Sequence, residues 1–135
     1  MSSLRSKFFS LSIIALFLGV SACNDNQFVQ GERLYNSYCE NCHMENGQGL
    51  GKLIPPLQDS DYYLSEYENL LCVITKGMSK EIVVNDVYYK EQMPAVTHLT
   101  TAELSNLINY MNSKWYPNKS LVTLVNIKET FTSCE

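Results

Sequence analysis

The sequence predicts an all-α domain of three to four helices, with a small β-hairpin inserted late in the chain and a C-terminal extension behind it. Three observations predict this. Apolar residues recur three or four apart in three separate stretches, two β-forming triplets flank a two-residue turn signal, and glycine or proline punctuates the segments between. In the first stretch Phe28, Gly31, Leu34, Tyr35, Tyr38 and Cys42 fall on one face of a helix over residues 28–42. The glycine-rich run Asn46 to Gly51 breaks that helix. It is not a phosphate loop, because Lys52 is followed by Leu53 where that motif needs Ser or Thr. Ile54 to Leu57 is then extended, since each proline disfavours helix at the residue before it. Leu64, Tyr67, Leu70, Leu71 and Ile74 mark a second helix over 60–76, with Gly77 placed to end it. Ile82–Val84 and Val87–Tyr89 make a hairpin about Asn85-Asp86, its tyrosines Tyr88 and Tyr89 read as packing groups. Thr100 and Glu103 form a capping box, and Leu104, Leu107, Ile108, Met111 and Trp115 give one face of a terminal helix that Pro117 helps to stop. Beyond it, Leu121 to Ile127 reads as a strand.

The chemistry concentrates in Cys39-Glu40-Asn41-Cys42-His43. C-x-x-C-H is the attachment site of a c-type haem: the two thiols are spaced to add across both vinyl groups of one porphyrin, and the histidine that follows is held where it can ligate the iron. A zinc site would need a second ligand pair, whereas His98 and the remaining cysteines stand singly. A thioredoxin-type motif would follow a strand, and here a helix precedes it. One covalently bound haem c is therefore expected.

The ends of the chain point to a compartment. Arg5 and Lys7 precede an apolar run from Phe8 to Val20, too short for a comfortable membrane span, so residues 1–22 read as a signal peptide. Leu18 to Cys23 resembles the lipobox of bacterial lipoproteins. That makes Cys23 the lipid anchor and residues 23–29 the lipidated cysteine with its tether; the other reading is a plain secretory cleavage near Ala22 that leaves Cys23 a free thiol. The expectation is an exported lipoprotein facing the periplasm, held at the inner or outer membrane. Of five cysteines, Cys72 and Cys134 are then left over in an oxidising space, which favours a mutual disulfide over a simple buried thiol at Cys72. Removal of Arg5 and Lys7 takes the basic residues from 10 to 8 against 14 acidic, a net charge of −6. Nucleic acid is not an expected partner of so acidic a chain.

Helix, C-x-x-C-H, glycine-rich loop, Pro-Leu, helix, Met-Pro and terminal helix, in that order, resemble the class I cytochrome c family over residues 30–117, with 118–135 as an extension. The resemblance implies a cytochrome c fold in which Gly31 and Tyr35 cross the terminal helix at Tyr110, Met111 or Trp115. It implies that the Pro55 carbonyl accepts the His43 Nδ1 proton, that Leu57 contacts the porphyrin, and that Met93 is the second metal ligand beside His43. Haem would thus be bound by Cys39, Cys42, His43, Pro55, Leu57 and Met93. Met44 is too close to His43 to reach the other face, Met111 lies on a core face, and Met78 and His98 are the remaining rivals. The implied function is single-electron transfer between redox protein donor and acceptor by a membrane-tethered carrier, with no small-molecule substrate and no enzymatic turnover of its own. Alternatives are a haem-relay subunit of a larger oxidase, reductase or dehydrogenase, or a peroxidase or gas sensor in which Met93 is displaced.

Overall fold

The structure, a computed structural model, describes residues 28–134. The signal peptide expected over 1–22, Cys23 and most of the tether lie outside the described residues. Within them the helices are α1 Val29–Tyr38, α2 Glu40–His43, α3 Asp61–Ser65, α4 Leu70–Lys76, α5 Thr101–Trp115 and α6 Leu124–Ser133. Strands β1 (Ile82–Val84) and β2 (Val87–Tyr89) pair antiparallel, Ile82 facing Tyr89 and Val84 facing Val87. Helices with one small two-stranded sheet are the cytochrome c fold with a β insertion.

The crossing of α1 and α5 organises the molecule. Gly31 lets the two backbones touch: a Cβ there would overlap the Asn106 carbonyl oxygen and lie 2.6 Å from Tyr110 Cβ. One turn on, Tyr35 is fully buried, its ring 5.7 Å from Tyr110 and 5.4 Å from Trp115 between centroids. Its hydroxyl donates to the Met44 carbonyl at 2.7 Å, so the crossing is tied to the residue after His43. Burial pushes the Tyr35 phenol well above its ordinary pKa, and it stays a neutral donor. The α5 capping box forms as expected, and Leu104, Leu107, Ile108 and Met111 put the helix face in the core.

Two elements differ from the sequence reading. The helix expected over 60–76 is interrupted at Glu66, followed by a 3₁₀ turn at Tyr67–Asn69 before α4 begins. The tighter turn shifts the helical phase, so Leu64 is exposed and Tyr63 takes the core position in the first segment. The segment expected as a strand over Leu121–Ile127 is instead irregular up to the cap residue Thr123 and helical from Leu124, the start of α6. Thr123 and Asn126 close a reciprocal cap, and Ile127 buries against the core. β-propensity reports fit to a pleated surface; here the segment packs as a helix on α4 and α5, burying Ile127 while Leu121, Leu124 and Val125 stay exposed.

The extension is fastened at both ends. Ser105 and Asn109 side chains on α5 donate to the Val122 carbonyl at 2.7 and 2.9 Å, and the Asn109 side-chain oxygen accepts from the Val122 amide. At the far end Cys72 on α4 and Cys134 are disulfide-bonded across a separation of 62 residues. Replacing both by Ser is expected to lower unfolding free energy by about 2–4 kcal/mol, because the bond constrains a long loop of the unfolded chain. Neither cysteine borders the haem cavity described below, so the visible spectrum should stay unchanged. Denaturant melts of oxidised protein and the double variant check this; coincident curves would mean that packing alone holds α6.

Candidate haem-binding site

α1 delivers the attachment motif. Its last turn ends at Cys39, whose amide donates to the Tyr35 carbonyl, and the short α2 then turns Cys42 outward and His43 inward. His43 is 8 % exposed, and its backbone amide is bonded to the Cys39 carbonyl at 2.9 Å. Neither Cys39 nor Cys42 is in a disulfide. Burial, with Cys42 beside it, pushes the Cys39 thiol up to about 12. A redox-exchange C-x-x-C needs a lowered thiol pKa, so this environment is wrong for that chemistry. Among the described residues no group of three or more His, Cys, Asp or Glu is placed to hold a metal ion by itself.

The His43 ring is fixed by the chain that follows it. Nδ1 lies 3.0 Å from the Pro55 carbonyl oxygen, so Nδ1 carries the donated proton and the Nε2 lone pair is left free for a metal. Burial lowers the imidazole pKa, and the bond to Pro55 opposes that shift. The glycine-rich loop makes this possible. The Gly49 amide donates to the His43 carbonyl, and the Gly47 carbonyl accepts from the Leu57 and Gln58 amides, bringing the Pro55–Leu57 segment under the histidine.

His43, Pro55 and Leu57 border an apolar cavity closed by Leu70 and Val73 from α4 and by Ile82 and Val84 from β1. The hairpin alternates as a strand should: Ile82 and Val84 face in, while Val83 faces solvent. Its turn is tied to α3 by reciprocal bonds between Asp61 and Asn85. Met93 and Met78 border the same cavity. Met111 is 2 % exposed inside the core, and His98 stacks edge-on against Tyr38 at the surface, so neither borders it. The Met93 segment is pinned to the end of α4: the Val96 amide donates to Ile74, and Gly77, in the left-handed region at φ 73°, leaves room where a Cβ would meet the Met93 carbonyl at 2.5 Å.

Sequence reasoning missed two tyrosines. The Tyr116 hydroxyl accepts from the Ser60 amide at 2.8 Å and donates to the Leu57 carbonyl at 2.6 Å, locking the Pro55–Leu57 segment to the start of α3. Its position just past a helix end gave no signal of this. Tyr62, on α3, borders the cavity and donates to the Met78 sulfur at 3.5 Å. The phase break at Glu66 hid it.

Two thiols on one helical turn, an imidazole with a fixed tautomer, thioethers and an apolar enclosure are a donor set that fits haem c, and with this fold they define a monohaem c-type cytochrome. The family model described as "Cytochrome C oxidase, cbb3-type, subunit III" matches residues 26–111, and the chain belongs to that family. Haem c is its covalently bound cofactor, and haem electron transfer its chemistry. The chain is similar to cytochrome c-552 of Thermus thermophilus, 28% identical over 89 residues, covering 63% of this chain and 67% of the relative. A second cytochrome c-552 from a named strain of the same organism aligns at the same identity, and there the match covers 60% of the relative. The chain also resembles the cytochrome c subunit of alcohol dehydrogenase (quinone) from Gluconobacter oxydans, 25% identical over 89 residues but spanning only 19% of that protein.

Proposed function

We propose that this protein is a membrane-tethered single-electron carrier between redox proteins, its haem held by thioethers from Cys39 and Cys42 and its iron by His43 and Met93. One observation carries the reading: the His43 imidazole, with Nε2 left free by Pro55, and the Met93 thioether border one apolar cavity. Bound there, the iron supplies a one-electron ferrous–ferric couple. Pro55 keeps the imidazole in one tautomer through both states and raises its basicity. Met93, a thioether ligand, favours the ferrous state. Leu57, Leu70, Val73 and Val84 exclude water, which limits reorganisation when charge changes. With His43 and Met93 both holding the iron, no site on it would be open to a substrate, which argues against peroxidase or sensor chemistry. A spectroelectrochemical titration tests this. The expected result is a reversible one-electron transition between six-coordinate low-spin forms; a high-spin, five-coordinate resting protein that turns over peroxide would remove the carrier reading.

The anchor reading rests on Leu18 to Cys23 and the tether behind it. Cys23→Ser is expected to move the protein from the membrane fraction to the soluble periplasmic fraction with its spectrum unchanged. Continued membrane retention would mean that protein contacts do the holding. A second reading, a relay subunit of a larger oxidoreductase, draws on the family description and on the relative that is itself a dehydrogenase subunit. Mild-detergent copurification with a stoichiometric oxidase, reductase or dehydrogenase would favour it over the free carrier, whose docking at a charge of −6 is to basic patches on its partners.

A further inference from the structure

Met78 stands directly opposite Met93. The Met78 amide donates to the Met93 carbonyl at 2.9 Å and the Met93 amide donates to the Met78 carbonyl at 2.8 Å, a single antiparallel bridge between the end of α4 and the segment before α5. Residues that exchange both backbone bonds have Cα atoms about 5.5 Å apart and send their side chains to the same face. Here that face is the cavity wall, because both methionines border the space that His43 borders. Both are half-buried, so both thioethers are withdrawn from bulk water.

The two sulfurs differ in what engages them. Met78 Sδ accepts the hydrogen bond from the Tyr62 hydroxyl at 3.5 Å. We propose that Met78 is a standby axial ligand, parked on Tyr62 while Met93 holds the iron and able to take the sixth position when the Met93 thioether is lost. The proposal rests on the reading of Met93 as the resident ligand and deepens it.

The two methionines share one backbone frame. The bridge, the Val96–Ile74 bond and the close approach at Gly77 hold the two segments together whichever sulfur is engaged. Only torsions of one unbranched side chain change, and methionine has three of them with a polarisable sulfur that tolerates more than one contact. The opposing contribution is one hydrogen bond from a tyrosine hydroxyl to a thioether, a weak acceptor. Met44 and Met111 cannot take this role: the first follows His43 immediately and the second is sealed in the core.

The test uses haem-loaded full-length protein with Met93→Leu, Met78→Leu and both together, leucine being close in volume to methionine. Three readouts apply: the near-infrared thioether-to-iron band of the oxidised form, the strongly shifted proton resonance of an iron-bound methionine methyl in the reduced form, and carbon monoxide affinity. Met93→Leu is expected to keep both thioether signatures. It should bind carbon monoxide at least about tenfold more weakly than the double variant, the factor that follows if Met78 fills the position about nine-tenths of the time. Met78→Leu should keep the signatures through Met93. If Met93→Leu loses them and binds carbon monoxide as tightly as the double variant, the standby role is overturned. If Met78→Leu alone loses them while Met93→Leu does not, Met78 is the resident ligand, and it is the reading of Met93 that has failed. Circular dichroism of each variant, matched to wild type, keeps a misfolded protein from being scored as a lost ligand.

Discussion

In a host that attaches haem to C-x-x-C-H, a chain carrying Cys39→Ser and Cys42→Ser together yields no protein-bound haem after acid-acetone extraction, whereas the parent chain keeps all of it in the precipitate. The expectation follows from the short α2: Cys39 and Cys42 sit one turn apart, free of any disulfide, with His43 next in chain. Serine hydroxyls do not form thioethers, and the coordination bonds proposed for His43 and Met93 would be broken by acid. The loss extends to the fold. Leu57, Leu70 and Val73 line the cavity and are only half-buried, so haem seated there would complete their burial, whereas Ile82 and Val84 are buried already. A side chain fully removed from water contributes about 1.5–3 kcal/mol, and several of these depend on occupancy, so the double variant should also melt far below the parent. Haem that survives extraction in the double variant would remove the assignment of the attachment residues.

Much of this site was legible because its logic is local. Two thiols and a histidine within five residues need only a helical turn to come together, and the Thr100–Glu103 box or the Asn85-Asp86 turn specifies its own geometry through neighbours in sequence. Both turn residues adopt positive φ, as such a hairpin requires. Interactions that depend on where a distant segment lands were not legible. Tyr116 reaches back 59 residues to Leu57, and Met78 meets Met93 only because α4 ends at Gly77 and the chain returns past it after the hairpin. The misread extension has the same origin. Leu121 to Ile127 carries β-branched residues, but the Thr123–Asn126 cap starts a helix there that packs on α4 and α5. The apolar period of the second helix failed at one residue, Glu66, where a local 3₁₀ turn moved every later side chain relative to those before it.

Gly31→Ala, a change of one methyl group on an otherwise helical residue, is expected to cost about 3 kcal/mol, the upper part of the range for overpacking. Helix propensity alone predicts the opposite sign, since alanine exceeds glycine by about 1 kcal/mol inside a helix. Packing decides, because the added Cβ meets backbone: it would overlap the Asn106 carbonyl oxygen, lie 2.6 Å from Tyr110 Cβ, and find no flexible side-chain tip to displace. Relief requires α1 and α5 to move apart, and that strips Tyr35 from Tyr110 and Trp115 and pulls on its hydroxyl bond to Met44, the residue beside His43. Gln30→Ala provides the contrast one residue away. It removes an exposed side-chain bond from Asn106 at 2.8 Å, adds nothing to the crossing, and should cost no more than about 1 kcal/mol. Denaturant unfolding of the two variants against the parent measures the difference. Should Gly31→Ala prove as stable as the parent, the close backbone contact between α1 and α5 is not what holds the first and terminal helices together.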